Sequence, residues 1–181
     1  VTIYSDFAGG MEGTEYGDQS ENSIMTRLET RRSVFAGHSY TDFAFHFTLA
    51  GEVPPRTIGE IGEAIESGVA SFKIFMTFGS KVPFGHLWAI FEEVGKKGGI
   101  MAVHAEDDDM VKYMEAKLVR EGRDQGYNLH LAHNNISEDI AFRKITRLSE
   151  HTEAGIYFVH TTAKEGAQAI ADARAKQLPV Y

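Results

Sequence analysis

The sequence predicts an α/β fold built on a parallel sheet, and three observations carry that reading. Apolar, β-branched or aromatic runs alternate with stretches of helical period. Glycines fall where the helices should stop. Polar residues with chemical potential fall where the apolar runs end. The strands are expected at residues 1–7, 42–49, 71–78, 100–104 and 155–160, and the helices at 21–35, 57–67, 84–97, 107–121, 138–150 and 164–176. Strand, helix, strand in this rhythm implies right-handed crossovers between parallel strands.

Each element has local support. Gly68, Gly98-Gly99 and Gly155 stand just after a helix or just before a strand, where C-terminal caps belong. Asp107 and Ser137 are expected N-caps. Residues 8–20, rich in Gly and acidic side chains, form a loop leaving the first strand. Residues 122–136 form a longer insertion carrying His130 and His133. Trp88, Phe91 and Val94 have the spacing of a buried helix face. The run Glu106-Asp107-Asp108-Asp109 suits a helix N-terminus, where the dipole favours negative charge. Such units build either an open doubly wound sheet or part of a barrel. The segment Gly9-Gly10-Met11-Glu12-Gly13 lacks the dinucleotide spacing, and its acidic neighbours would repel a pyrophosphate.

Composition narrows the function. Of 181 residues, 43% are hydrophobic and 24% charged, as in ordinary globular domains. A net charge of −8 speaks against nucleic acid as a partner, because phosphate binding needs clustered Lys and Arg. No basic amphipathic stretch or long apolar run points to a membrane. Cysteine is absent, so a metal would be held by His, carboxylate or a modified group, and a reducing compartment is consistent. The chain opens directly in one strand and stops at Gln177-Leu178-Pro179-Val180-Tyr181 as another begins, so both ends are expected to be cuts.

Three strand endings carry the chemistry. His104 follows Ile100-Met101-Ala102-Val103, and His160 follows Ile156-Tyr157-Phe158-Val159. Two parallel strands ending in His bring two imidazoles to one rim, and neutral imidazole is a common ligand of zinc-like ions. Either His alone is more readily explained by a hydrogen bond to a nearby loop; the pair leaves both readings open. Lys73 lies inside the apolar run Ser71-Phe72-Lys73-Ile74-Phe75-Met76. A buried ammonium must lose its proton, find a partner or be modified. Carbamate formation with carbon dioxide is one outcome, and snorkelling of the head group to the rim is the other. His130 and His133 are expected to be solvated or structural, and His46 is given no role.

Taken together, three ordered blocks resemble the cyclic amidohydrolases, in particular the dihydropyrimidinase and hydantoinase family. Gly68 through Met76 is similar to that family's carboxylated-lysine strand. Met101-Ala102-Val103-His104-Ala105-Glu106-Asp107 looks like its first single-histidine strand. Ile156 through His160, with Lys164-Glu165-Gly166 and the helix after it, looks like the next. The resemblance implies a partial (β/α)8 TIM barrel of the metal-dependent amidohydrolase superfamily, with residues 1–181 forming the central part of one barrel domain. It implies that Lys73 is carboxylated and bridges two divalent metal ions, zinc being expected, while His104 and His160 bind the second. The substrate would be a small cyclic amide or ureide, a dihydropyrimidine or hydantoin ring opened by water to a ureido acid. A cytoplasmic homotetramer follows by the same resemblance.

The resemblance also names gaps. The family's His-x-His pair is expected before Val1, and its general-base Asp beyond Tyr181. Phe78 occupies the position of a family Tyr whose hydroxyl helps stabilise the oxyanion, and losing such a donor typically costs on the order of a hundredfold in rate. Tyr4 and Tyr16, on neighbouring segments, are the alternative sources of a hydroxyl. Two alternatives follow: a non-catalytic dihydropyrimidinase-like protein, and an allantoinase or dihydroorotase-type ring hydrolase. With these parts missing, the 181-residue chain by itself is expected to lack hydrolase activity. Metal-dependent turnover of dihydrouracil or a hydantoin by the purified chain would refute that.

Overall fold

A computed structural model describes residues 2–9 and 23–181. Five parallel strands form one sheet in the order β1-β2-β3-β4-β5. They are β1 (Ile3–Ala8), β2 (Asp42–Thr48), β3 (Ser71–Phe75), β4 (Ile100–His104) and β5 (Gly155–Phe158). Each strand adds on the same side of the one before. That progression is a barrel's; a doubly wound sheet reverses its order part way across. A sixth strand begins beside β5, where Val180 bridges Ile156 in parallel. The Tyr181 amide donates to the Ile156 carbonyl at 2.9 Å.

The two faces of the sheet differ because side chains alternate along a strand. One face presents Phe45, Phe47, Phe72, Ile74, Met101, Val103, Ile156 and Phe158, all buried. This face packs under the helices and makes the core. Helix α4 (Phe84–Lys97) supplies Leu87, Ile90, Phe91 and Val94, at the spacing of one helical face. Helix α7 (Asn135–Thr152) supplies Ala141, Phe142, Ile145 and Leu148. The Phe142 ring stacks on Phe158 with centroids 3.8 Å apart. The opposite face carries Ser71, Lys73, Phe75, Ala102, His104 and Tyr157.

Helix α1 (Ile24–Phe35) is capped by Ser23, whose Oγ accepts from the Thr26 amide. Its expected start at residue 21 lies outside the described residues, as do Tyr16 and most of the 8–20 loop. The helix expected over 57–67 is two short ones, α2 (Pro55–Gly59) and α3 (Ile61–Glu66). The break falls at Glu60, whose carboxylate reaches across to accept from the Ile24 amide at the start of α1. Helix α5 (Asp108–Arg120) is capped by Asp107 as expected, and α8 (Lys164–Ala175) follows β5. Gly98 caps α4 in the left-handed conformation at φ 70°.

Three local expectations are corrected. The cap of α7 is Asn134, whose Oδ1 accepts from the Ile136 and Ser137 amides; Ser137 is buried one turn inside. Its hydroxyl instead accepts from the Asp107 amide at 2.8 Å, tying α7 to the start of α5. Trp88 is not core: it is 42% exposed and packs on His151, because the buried stripe of α4 runs through its neighbours Leu87 and Phe91. The third strand stops at Phe75, three residues short of its expected end, because the chain turns there.

Helix α4 meets the end of α7 at Gly95. A Cβ at this position would sit 2.0 Å from the Thr152 carbonyl oxygen and 3.1 Å from the Ala154 amide nitrogen, both backbone atoms. Gly95→Ala is therefore expected to lower stability by ~1–3 kcal/mol through overpacking. Gly59→Ala, where nothing lies within 4 Å, is expected to be neutral or slightly stabilising. Urea denaturation of the two variants checks the contrast.

Candidate functional site

The site is assembled at the C-terminal rim of the sheet, where parallel strands place all their last residues. In the register of β3 and β4, Lys73 pairs with Ala102 and Phe75 with His104. Lys73 and His104 thus share a face, one diagonal step apart. Val159 beside β5 donates to the Val103 carbonyl at 3.3 Å, which brings the following His160 level with His104. His160 then turns into the left-handed region, at φ 41°, and its ring folds back. Its Nε2 lies 2.8 Å from His104 Nδ1. The two histidines expected to act together are in contact.

Lys73 is 6% exposed, and its Nζ has no hydrogen-bond partner among the described residues. Its closest company is the Phe75 ring, 4.6 Å from Nζ to the centroid. Burial pulls its pKa down to about 8. Snorkelling to the rim, the plain alternative read from the sequence, would have given the ammonium water or a carboxylate; it has little exposure and, among the described residues, no carboxylate in hydrogen-bond reach. Removal from water also lowers the pKa of His160, reinforced by the charges of His104 and Lys73 and opposed by its own backbone and Glu106.

Sequence reasoning overlooked two carboxylates. Glu106 had been grouped with the acidic helix start, where Asp107 caps α5 and Asp108 joins Lys81 and Lys112. Its side chain instead turns back to the rim. One oxygen lies 2.8 Å from His104 Nε2 and the other 2.8 Å from His133 Nδ1. Burial acts to raise the Glu106 pKa, but the hydrogen bonds from His104 and His133 outweigh it and hold the carboxyl below its ordinary value. The +2 spacing from a strand-ending His was the one available signal. His133 belongs to the insertion, just past α6 (Leu129–Ala132), so only folding reveals its contact. His130 is structural or solvated as expected, facing the Tyr127 carbonyl.

Glu138 is the second. It is buried on α7 and accepts from the Thr162 amide, the Thr162 hydroxyl and the Ala163 amide. These are the residues that follow His160 and lead into α8. Gly166 makes room: a Cβ there would lie 2.7 Å from the Glu138 carboxylate. One carboxylate therefore holds His104, and another holds the loop that carries His160.

Phe78 lies beside this group. Its ring packs on His104 edge-on at 4.9 Å and on His133 at 6.0 Å. The backbone is left-handed at φ 69°, a conformation costing a non-glycine residue ~1 kcal/mol or more. Tyr4 does not replace the missing hydroxyl, because it sits on the helix-covered face and stacks on Phe35. His46 bonds Ser71 Oγ through Nδ1 at 2.7 Å. Among the described residues, no three His, Cys, Asp or Glu side chains converge as a ligand group.

Relatives are found both in sequence and in fold. No protein-family model matches the chain. The D-hydantoinase of Geobacillus stearothermophilus is 27% identical over 157 residues, covering 85% of this chain and 33% of the relative. The allantoinase of Solibacter usitatus is 27% identical over 179 residues, covering 92% of this chain and 37% of the relative. The crystal structure of dihydropyrimidinase from Brevibacillus agri superimposes with a TM-score of 0.85 at 22% identity, covering 99% of this chain and 38% of that one. The chain spans about a third of the length of the curated relatives it matches. Its resemblance to the hydantoinases and dihydropyrimidinases holds in sequence and in fold, and its five strands correspond to part of an amidohydrolase barrel.

The buried amine gives a stability prediction with a definite sign. Lys73 has a folded pKa of about 8 against an ordinary 10.5, so its charge penalises folding. The penalty, on the order of 3 kcal/mol, is present in full below pH 8 and disappears as pH rises through 10.5. Lys73→Met is expected to raise stability at neutral pH in CO2-free buffer, with the gain shrinking above pH 8. Denaturant titrations at several pH values measure it.

Proposed function

We propose that this chain contributes Lys73, His104 and His160 to the metal centre of a cyclic amide hydrolase. The observation that carries the reading is the Lys73 amine, buried without a hydrogen-bond partner among the described residues and one diagonal step from His104, whose ring meets that of His160. An amine with a lowered pKa is partly neutral near pH 8, and its lone pair adds to carbon dioxide. A C–N bond forms as one C=O π bond of carbon dioxide opens, one N–H proton leaves the neutral amine for solvent, and a carbamate anion replaces the amine. The burial cost then belongs to a group with ligands to neutralise it.

The residues present fit such a centre. Lys73 as carbamate, His104 through Nδ1 and His160 through Nε2 would hold two divalent ions, zinc by preference for nitrogen and oxygen donors. When bound, the ions would lower the pKa of water and polarise the ring carbonyl. Water adds to that carbon, the ring C–N bond breaks, and a proton passes to the leaving nitrogen. Within this scheme Glu106 orients His104, and Glu138 orders the backbone after His160. Phe78 offers the substrate a ring edge and no hydrogen-bond donor, so oxyanion stabilisation must come from elsewhere. Dihydropyrimidines and hydantoins are the substrate class favoured by similarity to the D-hydantoinase. Similarity over 92% of the chain to an allantoinase supports a ureide ring as the second reading. Ligands supplied by further segments of the polypeptide, a tetrameric assembly and a cytoplasmic location belong to the same proposal.

Two measurements test it. Protein incubated with 13C-bicarbonate at pH 8 is expected to show a carbamate carbon resonance that Lys73→Arg removes. Zinc bound after dialysis is expected to fall together with it. A folded protein that takes up neither label nor zinc would overturn the reading, and a panel of dihydrouracil, hydantoin and allantoin separates the substrates.

A further inference from the structure

We infer that Glu106 and His133 form a positioning chain that fixes the tautomer of His104, leaving His104 Nδ1 as a bare lone pair directed at His160. For its purpose the inference rests on the metal-centre reading above, but its geometry does not. A carboxylate only accepts hydrogen bonds. His104 Nε2 lies 2.8 Å from one Glu106 oxygen, so the single proton of the neutral ring resides on Nε2 and Nδ1 is left without one. The facing nitrogen of His160, 2.8 Å away, then supplies the proton that joins the two rings.

A lone carboxylate two residues along the chain could swing away. Glu106 is prevented by its second oxygen, 2.8 Å from His133 Nδ1. His133 is fixed in turn at the end of α6, its amide donating to the Leu129 carbonyl at 3.0 Å. Its other ring nitrogen is 3.7 Å from Glu115 on α5. The Phe78 ring covers both imidazoles. The His104, Glu106 and His133 side chains are 14%, 14% and 18% exposed, so water competes poorly for these bonds. The insertion at residues 122–136 thereby acquires a role, which is to deliver the ring that clamps Glu106. Carboxylates in this relation to a ligating His commonly strengthen metal affinity by ~10–100-fold.

Histidine-selective 15N labelling of the metal-free protein reads the tautomer through the imidazole 1H–15N correlations. Wild type is expected to show His104 protonated on Nε2. Glu106→Ala is expected to give a mixture of tautomers and zinc binding ~10–100-fold weaker. Glu106→Gln, which keeps one acceptor, is expected to retain the Nε2–H form at intermediate affinity. His133→Phe, which keeps the ring and removes the donor, is expected to lose part of the Nε2–H population and serves if Glu106→Ala does not fold. An unchanged His104 tautomer in a folded Glu106→Ala or His133→Phe protein overturns the inference. Absence of zinc binding in wild type overturns the metal reading instead, and the tautomer result still decides this one.

Discussion

Parallel pairing is the constraint from which the rest of the structure follows. Because β1 through β5 all run the same way, every strand ends at one rim, and every crossover returns its helix to one face. The helix-covered face must then be apolar, and Phe47, Phe72, Met101 and Ile156 fill it. The other face is left for residues that need not pack under a helix. His104 and Lys73 share it only because β3 and β4 are in a register that pairs Phe75 with His104. A slip of one residue between them would put the two side chains on opposite faces of the sheet.

Within that frame the site is held by carboxylates more than by its own contacts. Glu138 satisfies two backbone amides and a hydroxyl at the start of α8. A charged acceptor in that place stabilises the loop strongly, since hydrogen bonds to charged groups contribute ~1.5–3 kcal/mol each. The strained φ of His160 is supported by this loop, and that of Phe78 by packing on two imidazoles. Strain of this kind persists where the surroundings over-determine it. Both strained residues border His104.

What was legible in the sequence divides along physical lines. Strand order and the Asp107 cap follow from period and local chemistry, as does the core face of α4 at Phe91 and Val94, though not at Leu87. Ser71-Phe72-Lys73-Ile74 left a buried amine and a snorkelling lysine both open, and the fold decides between them. Contacts across long separations were not legible. Glu106 meets His133 over 27 residues, and Glu138 meets Thr162 over 24. Neither spacing carries a period or a motif. The Ser137 and Trp88 errors have a different source: each was a sound local choice displaced by a neighbour, Asn134 and the Leu87–Phe91 stripe respectively, that packed better.

The histidine pair has an asymmetry that bears on how such a centre is occupied. His104 is engaged at both nitrogens, by Glu106 on one side and His160 on the other. Its ring orientation and protonation are therefore set before any ligand arrives. The proton between the two rings belongs to His160, whose Nε2 must give it up if that atom is to offer a lone pair. An imidazole can do so by moving its proton to Nδ1, with no change in charge. Occupation of the centre then asks for rearrangement at one ring only, the one carried by a loop. The strand-borne ring and the two carboxylates stay as folding leaves them, and Lys73 changes by carboxylation in place. A rigid side and a yielding side meeting at one hydrogen bond is what a fold yields when one histidine ends a strand and the other lies two residues past the end of its own.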